Sequence, residues 1–238
     1  MLGRFLEVSV GAHPLAASFE FYRALGFVDV PVADTLPNPY LVMFDGAIAI
    51  GLHDHGEPAT RLTFVRPELR AYVRALRRLD VALDYEHLGD GEFNTVGFTD
   101  PAGQAVALVE ARTFPPPEWD PHNVTACGEF LELTLPAQEL VRSSRFWQAL
   151  GFAEIASGEA PHSWQRLKGH GVTIGLHEAH CKPGPSFRCA DVEARCEYLR
   201  AKGLGPRAGS PIADRGQASA TLTAPEGTQF YLLEKGAQ

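Results

Sequence analysis

The second half of the chain repeats the pattern of the first. Segments 5–27 and 130–152 align without a gap, and eleven of their 23 positions are identical. The similarity resumes further along at 48–53 with 172–177, at 64–78 with 187–201, and at 98–110 with 222–234. Chance does not maintain such an order over a whole half-chain, so the protein is a tandem of two copies of one unit.

The repeat also predicts the domain boundaries. The first copy extends over residues 1–112 and the second over residues 129–238. The segment between them, 113–128, begins TFPPPEWD, and its three successive prolines are typical of a stiff linker.

Each copy divides again into two similar modules. The alternating segment FLEVSV predicts a strand, and the apolar spacing of Leu15, Phe19, Tyr22 and Leu25 predicts a helix that stops at Gly26. Short strand patterns follow, and the strand–helix–strand order then restarts. The sequence therefore predicts an α+β fold of four βαβββ modules, with curled, mostly antiparallel sheets and helices outside.

Charge and composition narrow the classes of partner. The formal net charge of −8 argues against nucleic acid and anionic membranes, because both favour basic surfaces. The sequence has no signal-peptide pattern and no apolar run near the ~20 residues of a membrane span, which predicts a cytoplasmic protein. We expect a small-molecule ligand as its partner, and a monomer (a pseudo-dimer within one chain) or a homodimer.

Three motifs resemble a known family. The pattern strand–helix–FYRALGF, a central GLH and the turn DPAG before a final strand resemble the vicinal oxygen chelate superfamily. That group includes glyoxalase I, extradiol dioxygenases, fosfomycin-resistance enzymes and bleomycin-binding resistance proteins. The resemblance covers nearly the whole chain and implies the fold, but one fold hosts many functions.

The resemblance also implies where a metal would bind. Catalytic members hold a divalent metal in a cup, through ligands on the first, fourth, fifth and eighth strands. In this sequence those positions are Glu7, Gly51, Arg61 and Ala107 in the first copy, and Glu132, Gly175, Gly184 and Tyr231 in the second. Each copy keeps one candidate ligand, so we expect no standard metal site and no cofactor, with a divalent metal as the alternative. Glu110 and Glu234 lie three residues beyond the eighth-strand position, which predicts that they face the opposite side.

The segment IAIGLHDHGE contains a His-x-His that could suggest a metal site. His53 is repeated as His177 and should face the cup beside Glu7, as His177 should beside Glu132. Each Glu–His pair is interpreted as a charge-assisted hydrogen bond, as a general-base dyad, or as two ligands of a sparse metal site. His55 has no counterpart, and we expect it, like His180, at the solvated end of its strand.

Strand alternation predicts the side chains that line each cup. The candidate ligand-binding residues are Arg61 and Met43 in the first copy, and Trp164, Arg166, Arg188 and Tyr231 in the second. The same alternation places Ser9, Leu41, Thr63 and Ala105 in the first cup, and Thr134 and Ser186 in the second. The alternative is that such side chains fill a collapsed cup.

These features favour a metal-independent protein of the glyoxalase or bleomycin-resistance type that binds a small aromatic or anionic molecule. The alternative is a metal-dependent enzyme of the superfamily (a lyase, isomerase or dioxygenase) with a reduced site at Glu7 and His53 or at Glu132 and His177. A third interpretation is a structural paralogue that acts through protein contacts.

Overall fold

A computed structural model describes residues 2–31, 39–54, 60–91, 93–111 and 125–235. His55 and most of the predicted linker lie outside the described residues. The two copies form two eight-stranded sheets with the same strand order. No helix in the described ranges is long and apolar enough to cross a membrane.

The first sheet contains two βαβββ modules placed edge to edge, with strand order β2-β3-β4-β1-β5-β8-β7-β6. Its first module is β1 (Arg4–Gly11), α1 (Leu15–Ala24), β2 (Val28–Val30), β3 (Tyr40–Phe44) and β4 (Ala49–His53). Its second module is β5 (Arg61–Arg66), α2 (Leu69–Arg78), β6 (Leu83–His87), β7 (Thr95–Thr99) and β8 (Ala105–Glu110).

The second sheet repeats this architecture, with strand order β10-β11-β12-β9-β13-β16-β15-β14. Its first module is β9 (Glu129–Pro136), α3 (Leu140–Ala149), β10 (Ala153–Gly158), β11 (Trp164–Gly169) and β12 (Val172–His177). Its second module is β13 (Gly184–Cys189), α4 (Val192–Ala201), β14 (Arg207–Ala208), β15 (Ser219–Thr223) and β16 (Gln229–Glu234).

Strand pairing confirms the predicted module pattern. In the first sheet β1 pairs in parallel with β4 and β5 with β8, while the remaining neighbours are antiparallel. Gly26 and Gly151 follow α1 and α3 with positive φ angles of 90° and 101°. Glycine reaches this backbone conformation without the steric cost of a side chain, so both helices end where the repeated LGF begins.

Each sheet has one face in the hydrophobic core and one face directed away from it. On β1, Val8 and Val10 are buried in a core that is continuous between the two halves. Glu7 and Ser9 alternate with them and therefore lie on the opposite face. The molecule thus has two separate cups, one on each sheet.

Reciprocal hydrogen bonds join the halves. The Trp147 indole on α3 donates from Nε1 to Asp100 Oδ2 of the first half at 3.0 Å. Tyr22, its repeat equivalent on α1, donates its hydroxyl to Glu226 Oε1 of the second half at 2.7 Å. Because both bonds pass between buried aromatic side chains and turns of the other copy, they fix how the sheets are oriented.

Candidate functional site

The first cup is centred on Glu7, whose side chain is 2% exposed. Its Oε1 accepts a hydrogen bond from Ser9 Oγ at 2.6 Å and lies 3.1 Å from His53 Nε2. Its Oε2 accepts a hydrogen bond from the Tyr40 hydroxyl. Ser9 Oγ is also 2.7 Å from Thr63 Oγ1. The sequence places Glu7 beside His53 correctly, and both carboxylate oxygens are occupied by protein donors.

The β3 side chain that faces the first cup and contacts Glu7 differs from the predicted ones. Tyr40 pairs with His53 and Val42 with Gly51, and directly opposed residues share a face, so Tyr40 faces the cup. Met43 is completely buried in the core and Leu41 packs against that core. The prediction that Met43 and Leu41 line the cup is therefore wrong, because a shift of one residue along a strand reverses the face.

The Tyr40 hydroxyl remains a hydrogen-bond donor over a wide pH range. Burial raises its pKa, and the charge of Glu7 and the hydrogen bond to it raise the pKa further. The Tyr40 and His53 rings lie 4.5 Å apart between centroids. Together they form an aromatic wall at one side of the cup.

Glycine on β4 leaves the space in which Glu7 lies. A Cβ atom added at Gly51 would be 2.1 Å from Glu7 Oε1, and one added at Gly175 would be 2.0 Å from Glu132 Oε1. These are the positions at which the resemblance places a metal-binding carboxylate. In both cups the first-strand glutamate fills that space instead.

The second cup is centred on Glu132, whose side chain is 1% exposed. Its Oε1 lies 2.6 Å from His177 Nε2, and its Oε2 accepts a hydrogen bond from Arg166 Nε at 2.5 Å. Burial by itself would raise the pKa of Glu132, but the hydrogen bond and charge of His177 and those of Arg166 outweigh it and lower the pKa. Glu132 is therefore an ionised carboxylate with a permanent cation beside it.

The arginine occupies different strands in the two cups. Arg166 pairs with Gly175, and the corresponding first-cup position is Val42, opposite Gly51. Arg61 on β5 pairs with Ser9 and Ala105 and is half-buried, whereas Gly184 occupies its equivalent position in the second cup. Within the described residues, the Arg61 guanidinium has no hydrogen-bond or ion-pair partner. The second cup thus neutralises its own glutamate, whereas in the first cup no described residue forms an ion pair with Arg61.

Small side chains form the floor of the first cup. Directly opposed positions on β4, β1, β5 and β8 are occupied by Gly51, Ser9, Arg61 and Ala105. Two strand spacings separate Gly51 from Arg61, a distance of about 10 Å. The Tyr85 ring covers Gly97 at the other side, because a Cβ at Gly97 would lie 2.1 Å from Tyr85 Cε1. The sequence analysis did not predict Tyr85 as a cup residue, although its strand LDYEH alternates apolar and acidic residues over positions 83–86. The floor is thus flanked by Tyr40 and His53 on one side and by Tyr85 on the other.

The second cup is filled in part by its own chain. Tyr231 is 2% exposed and packs with Ile212 and Leu233 in a small apolar cluster separate from the main core. Its hydroxyl donates to Lys182 O at 2.8 Å and accepts from Lys182 N at 3.0 Å. Arg188, predicted to bind ligand, is exposed. This half of the second cup matches the predicted alternative of a filled cup.

The remaining part of the second cup has an aromatic and basic rim. Trp164 and Arg166 pair with His177 and Gly175, which places both on the predicted cup face. The Trp164 and His177 rings are nearly parallel, at 22° with centroids 6.4 Å apart, and Arg166 Cζ lies 5.2 Å from the Trp164 ring centroid. His162 Nε2 lies 2.9 Å from His177 Nδ1, a contact that the sequence did not predict.

The donor set does not fit the metal site that the resemblance implies. No group of three or more His, Cys, Asp or Glu side chains that could hold a metal occurs among the described residues. Glu110 and Glu234 face the helices, where they accept hydrogen bonds from Leu69 N at 2.8 Å and Val192 N at 3.4 Å. The prediction that these two glutamates lie opposite the cup is confirmed.

Neither a protein-family model nor a curated protein sequence matches the chain. Several solved structures, however, are similar to this chain in fold. Homoprotocatechuate 2,3-dioxygenase from Brevibacterium fuscum, in complex with 3,4-dihydroxyphenylacetate, matches at a TM-score of 0.66 and 14% identity. That match covers 98% of this chain and 80% of the other. A catechol 2,3-dioxygenase matches at a TM-score of 0.61 and 11% identity, over 98% of this chain and 87% of the other.

The chain has the vicinal oxygen chelate fold. The structural match extends over both copies, so the predicted tandem of four modules is confirmed. Within this fold the two cups correspond to each other by the internal repeat, and they differ in the placement of one arginine. The predicted domain boundaries remain a prediction.

Proposed function

We propose that this vicinal oxygen chelate protein binds a small anionic molecule with a planar ring in its first cup, without the standard metal site. The observation that carries the proposal is Arg61, a half-buried guanidinium above a floor of small side chains, with no partner among the described residues. A partly buried charge is stabilised by an opposite charge, and the described residues supply none at Arg61.

The chemistry of Arg61 favours a carboxylate or another planar anion. A guanidinium presents donors in a rigid fork that matches two oxygens of one carboxylate. Glu7 does not serve as that anion, because Tyr40, Ser9 and His53 already occupy its oxygens. The ligand's anionic group would therefore contact Arg61.

The aromatic walls favour a ring on the ligand. Tyr40 and His53 form one wall and Tyr85 the other, with Ala105 and Gly97 on the floor between them. Flat apolar ligands pack well against aromatic faces. The 3,4-dihydroxyphenylacetate of the structural relative is an aromatic carboxylate of this kind.

Benzoate is a suitable probe, because it combines a planar ring with one carboxylate. We expect benzoate to raise the melting temperature of the EDTA-treated protein saturably. Arg61→Gln should weaken benzoate binding by more than about 30-fold, since truncating one partner of a buried charge pair costs about 2–5 kcal/mol.

Arg188→Gln is the matched control, because Arg188 is an exposed arginine on the other sheet. It should bind benzoate as the wild type does, by the same melting-temperature titration. The proposal fails if benzoate does not stabilise the wild type at tens of millimolar, or if Arg61→Gln responds equally.

A metal-dependent enzyme (a lyase, isomerase or dioxygenase) is the second candidate function. Two observations favour it: the two solved structures described above are dioxygenases, and Glu7 and His53 place a carboxylate beside an imidazole. The two candidates differ in whether a divalent metal binds in a cup, so metal analysis separates them. A cytoplasmic location and a monomeric or homodimeric state remain predictions.

A further inference from the structure

The first cup keeps a carboxylate and a guanidinium apart. Glu7 on β1 pairs with Thr63 on β5, and Ser9 pairs with Arg61. Glu7 and Arg61 are therefore diagonal neighbours, about 7–8 Å apart along the sheet. Two long side chains can bridge such a distance, yet Arg61 forms no ion pair with any described residue. Opposite charges thus lie separately on the floor of one cup.

The side chain of Glu7 is turned away from Arg61. A Cβ atom added at Gly51 would lie 2.1 Å from Glu7 Oε1, so the carboxylate lies over β4, whereas Arg61 is on β5 at the other side of β1. Ser9 and Tyr40 donate hydrogen bonds to its two oxygens. A carboxyl group whose two oxygens both accept is an ionised carboxylate. The negative charge is therefore fixed on the side of the cup away from Arg61.

Two rings separate the Glu7 carboxylate from the space between the walls. Tyr40 and His53 contact its oxygens, and the Glu7 side chain is only 2% exposed. A ligand group on that side therefore meets the aromatic wall and is affected by Glu7 through its charge. A cation there is attracted by the face of the Tyr40 ring and by the carboxylate behind it, whereas an anion is repelled.

The second cup does not separate its charges in this way. Arg166 Nε donates to Glu132 Oε2 at 2.5 Å, so the two charges cancel at one place. Gly184 occupies the strand position that corresponds to Arg61. The comparison of the two copies assigns the charge separation to the first cup.

We propose that Glu7 makes the first cup selective for aromatic zwitterions, with a carboxylate at Arg61 and an ammonium group at the opposite end of the ring, beside Tyr40. This inference rests on the proposed function, which assigns the carboxylate of the ligand to Arg61. Glu7 is a specificity-determining residue that acts through its charge, and not through a hydrogen bond to the ligand.

Three benzoates of similar size test this selectivity in the EDTA-treated protein near neutral pH. The ligand para-(aminomethyl)benzoate has an ammonium group opposite its carboxylate, para-methylbenzoate has no charge there, and terephthalate has a second carboxylate. Isothermal titration calorimetry should show the ammonium compound binding about 10-fold tighter than the methyl compound, and terephthalate about 10-fold weaker, as expected for single charges at these distances in salt solution.

Two controls separate the effect of Glu7 from that of the net charge of the protein. Glu7→Gln should bind para-methylbenzoate but lose the preference for the ammonium compound, whereas Glu139→Gln, which removes an exposed carboxylate next to α3, should keep it. The isomer ortho-(aminomethyl)benzoate has the same charges with its ammonium beside Arg61. The wild type should bind this isomer no tighter than the methyl compound, a result that does not depend on the stability of Glu7→Gln.

The proposal is overturned if para-(aminomethyl)benzoate binds no tighter than para-methylbenzoate, or if the ortho isomer shows the same advantage. It is also overturned if folded Glu7→Gln keeps the wild-type order of affinities. In these cases, binding of para-methylbenzoate that is lost in Arg61→Gln leaves the proposed function standing. If none of the three para compounds binds, the proposed function and this inference both fail.

Discussion

Replacing Glu132 by glutamine should lower the free energy of unfolding by about 3–5 kcal/mol, as expected when one partner of a buried ion pair is removed. The variant leaves Arg166, whose side chain is 15% exposed, without its carboxylate. It also weakens the hydrogen bond between His177 Nε2 and the side chain at position 132. Urea denaturation followed by circular dichroism at pH 7 measures the loss.

Glu7→Gln is the comparison within the same chain. Its loss should be smaller, about 1–3 kcal/mol, because its partners include two hydroxyl groups and no arginine. Exposed Glu139→Gln should change stability by less than about 0.5 kcal/mol. Equal losses for Glu132 and Glu7 would contradict the asymmetry of the two cups.

The effect of Glu132 should also depend on pH. The pKa of Glu132 is lowered in the folded protein. Its contribution to the free energy of unfolding is therefore complete above the ordinary pKa of a glutamate, and it is lost as the pH falls through the lower pKa of the folded state. The difference in stability between the wild type and Glu132→Gln should therefore shrink in acid.

Gly175→Ala should destabilise the protein by about 1–3 kcal/mol, the usual cost of overpacking. The new Cβ would lie 2.0 Å from Glu132 Oε1, so the carboxylate must move away from Arg166 and His177. Gly51→Ala should act in the same way on Glu7, from a distance of 2.1 Å. Thermal unfolding of the variants measures both effects.

Gly205→Ala is the matched control, because nothing lies within 4 Å of a Cβ at that position. We expect it to be neutral or slightly stabilising, since alanine restricts the unfolded chain. If Gly175→Ala were as stable as the wild type, Glu132 would not lie over β12 as described.

The repeat made the fold and part of the cups predictable. Alignment of the copies identifies β9 as the equivalent of β1 and β12 as the equivalent of β4. Strand alternation then places Glu7 and His53 on the same face of the sheet. The face of Glu110 follows from the same alternation along β8. These predictions held because they depend on sequence spacing within regular strands.

Other features depend on contacts that spacing does not determine. The two copies differ by one residue in length between α1 and β4, so the alignment leaves the face of each β3 residue open. A shift of one residue places Tyr40, and not Met43, in the cup. His162 and Tyr85 reach the cups from a connection and from an edge strand, which the alignment of the copies does not relate. The ion pair between Arg166 and Glu132 depends on the conformation of the long Arg166 side chain, which extends from β11 to β9. The spacing of residues along a strand does not determine that conformation.

The divergence of the two cups follows from one arginine. In the second half, Arg166 on β11 neutralises Glu132. In the first half the arginine is Arg61 on β5, which has no such partner among the described residues. A standard metal site is disfavoured in both halves for a related reason. A cation in the second cup would compete with Arg166, and one in the first would displace Tyr40, Ser9 or His53 from Glu7.

Metal analysis of the purified protein, after dialysis against Fe²⁺, Mn²⁺ or Zn²⁺ and removal of the free ion, tests this account most directly. We predict well under one equivalent of metal per chain and no rise in melting temperature with any of the three ions. One equivalent of metal that raises the melting temperature, and that is lost in Glu7→Gln or Glu132→Gln, would contradict the account and support the metal-dependent enzyme.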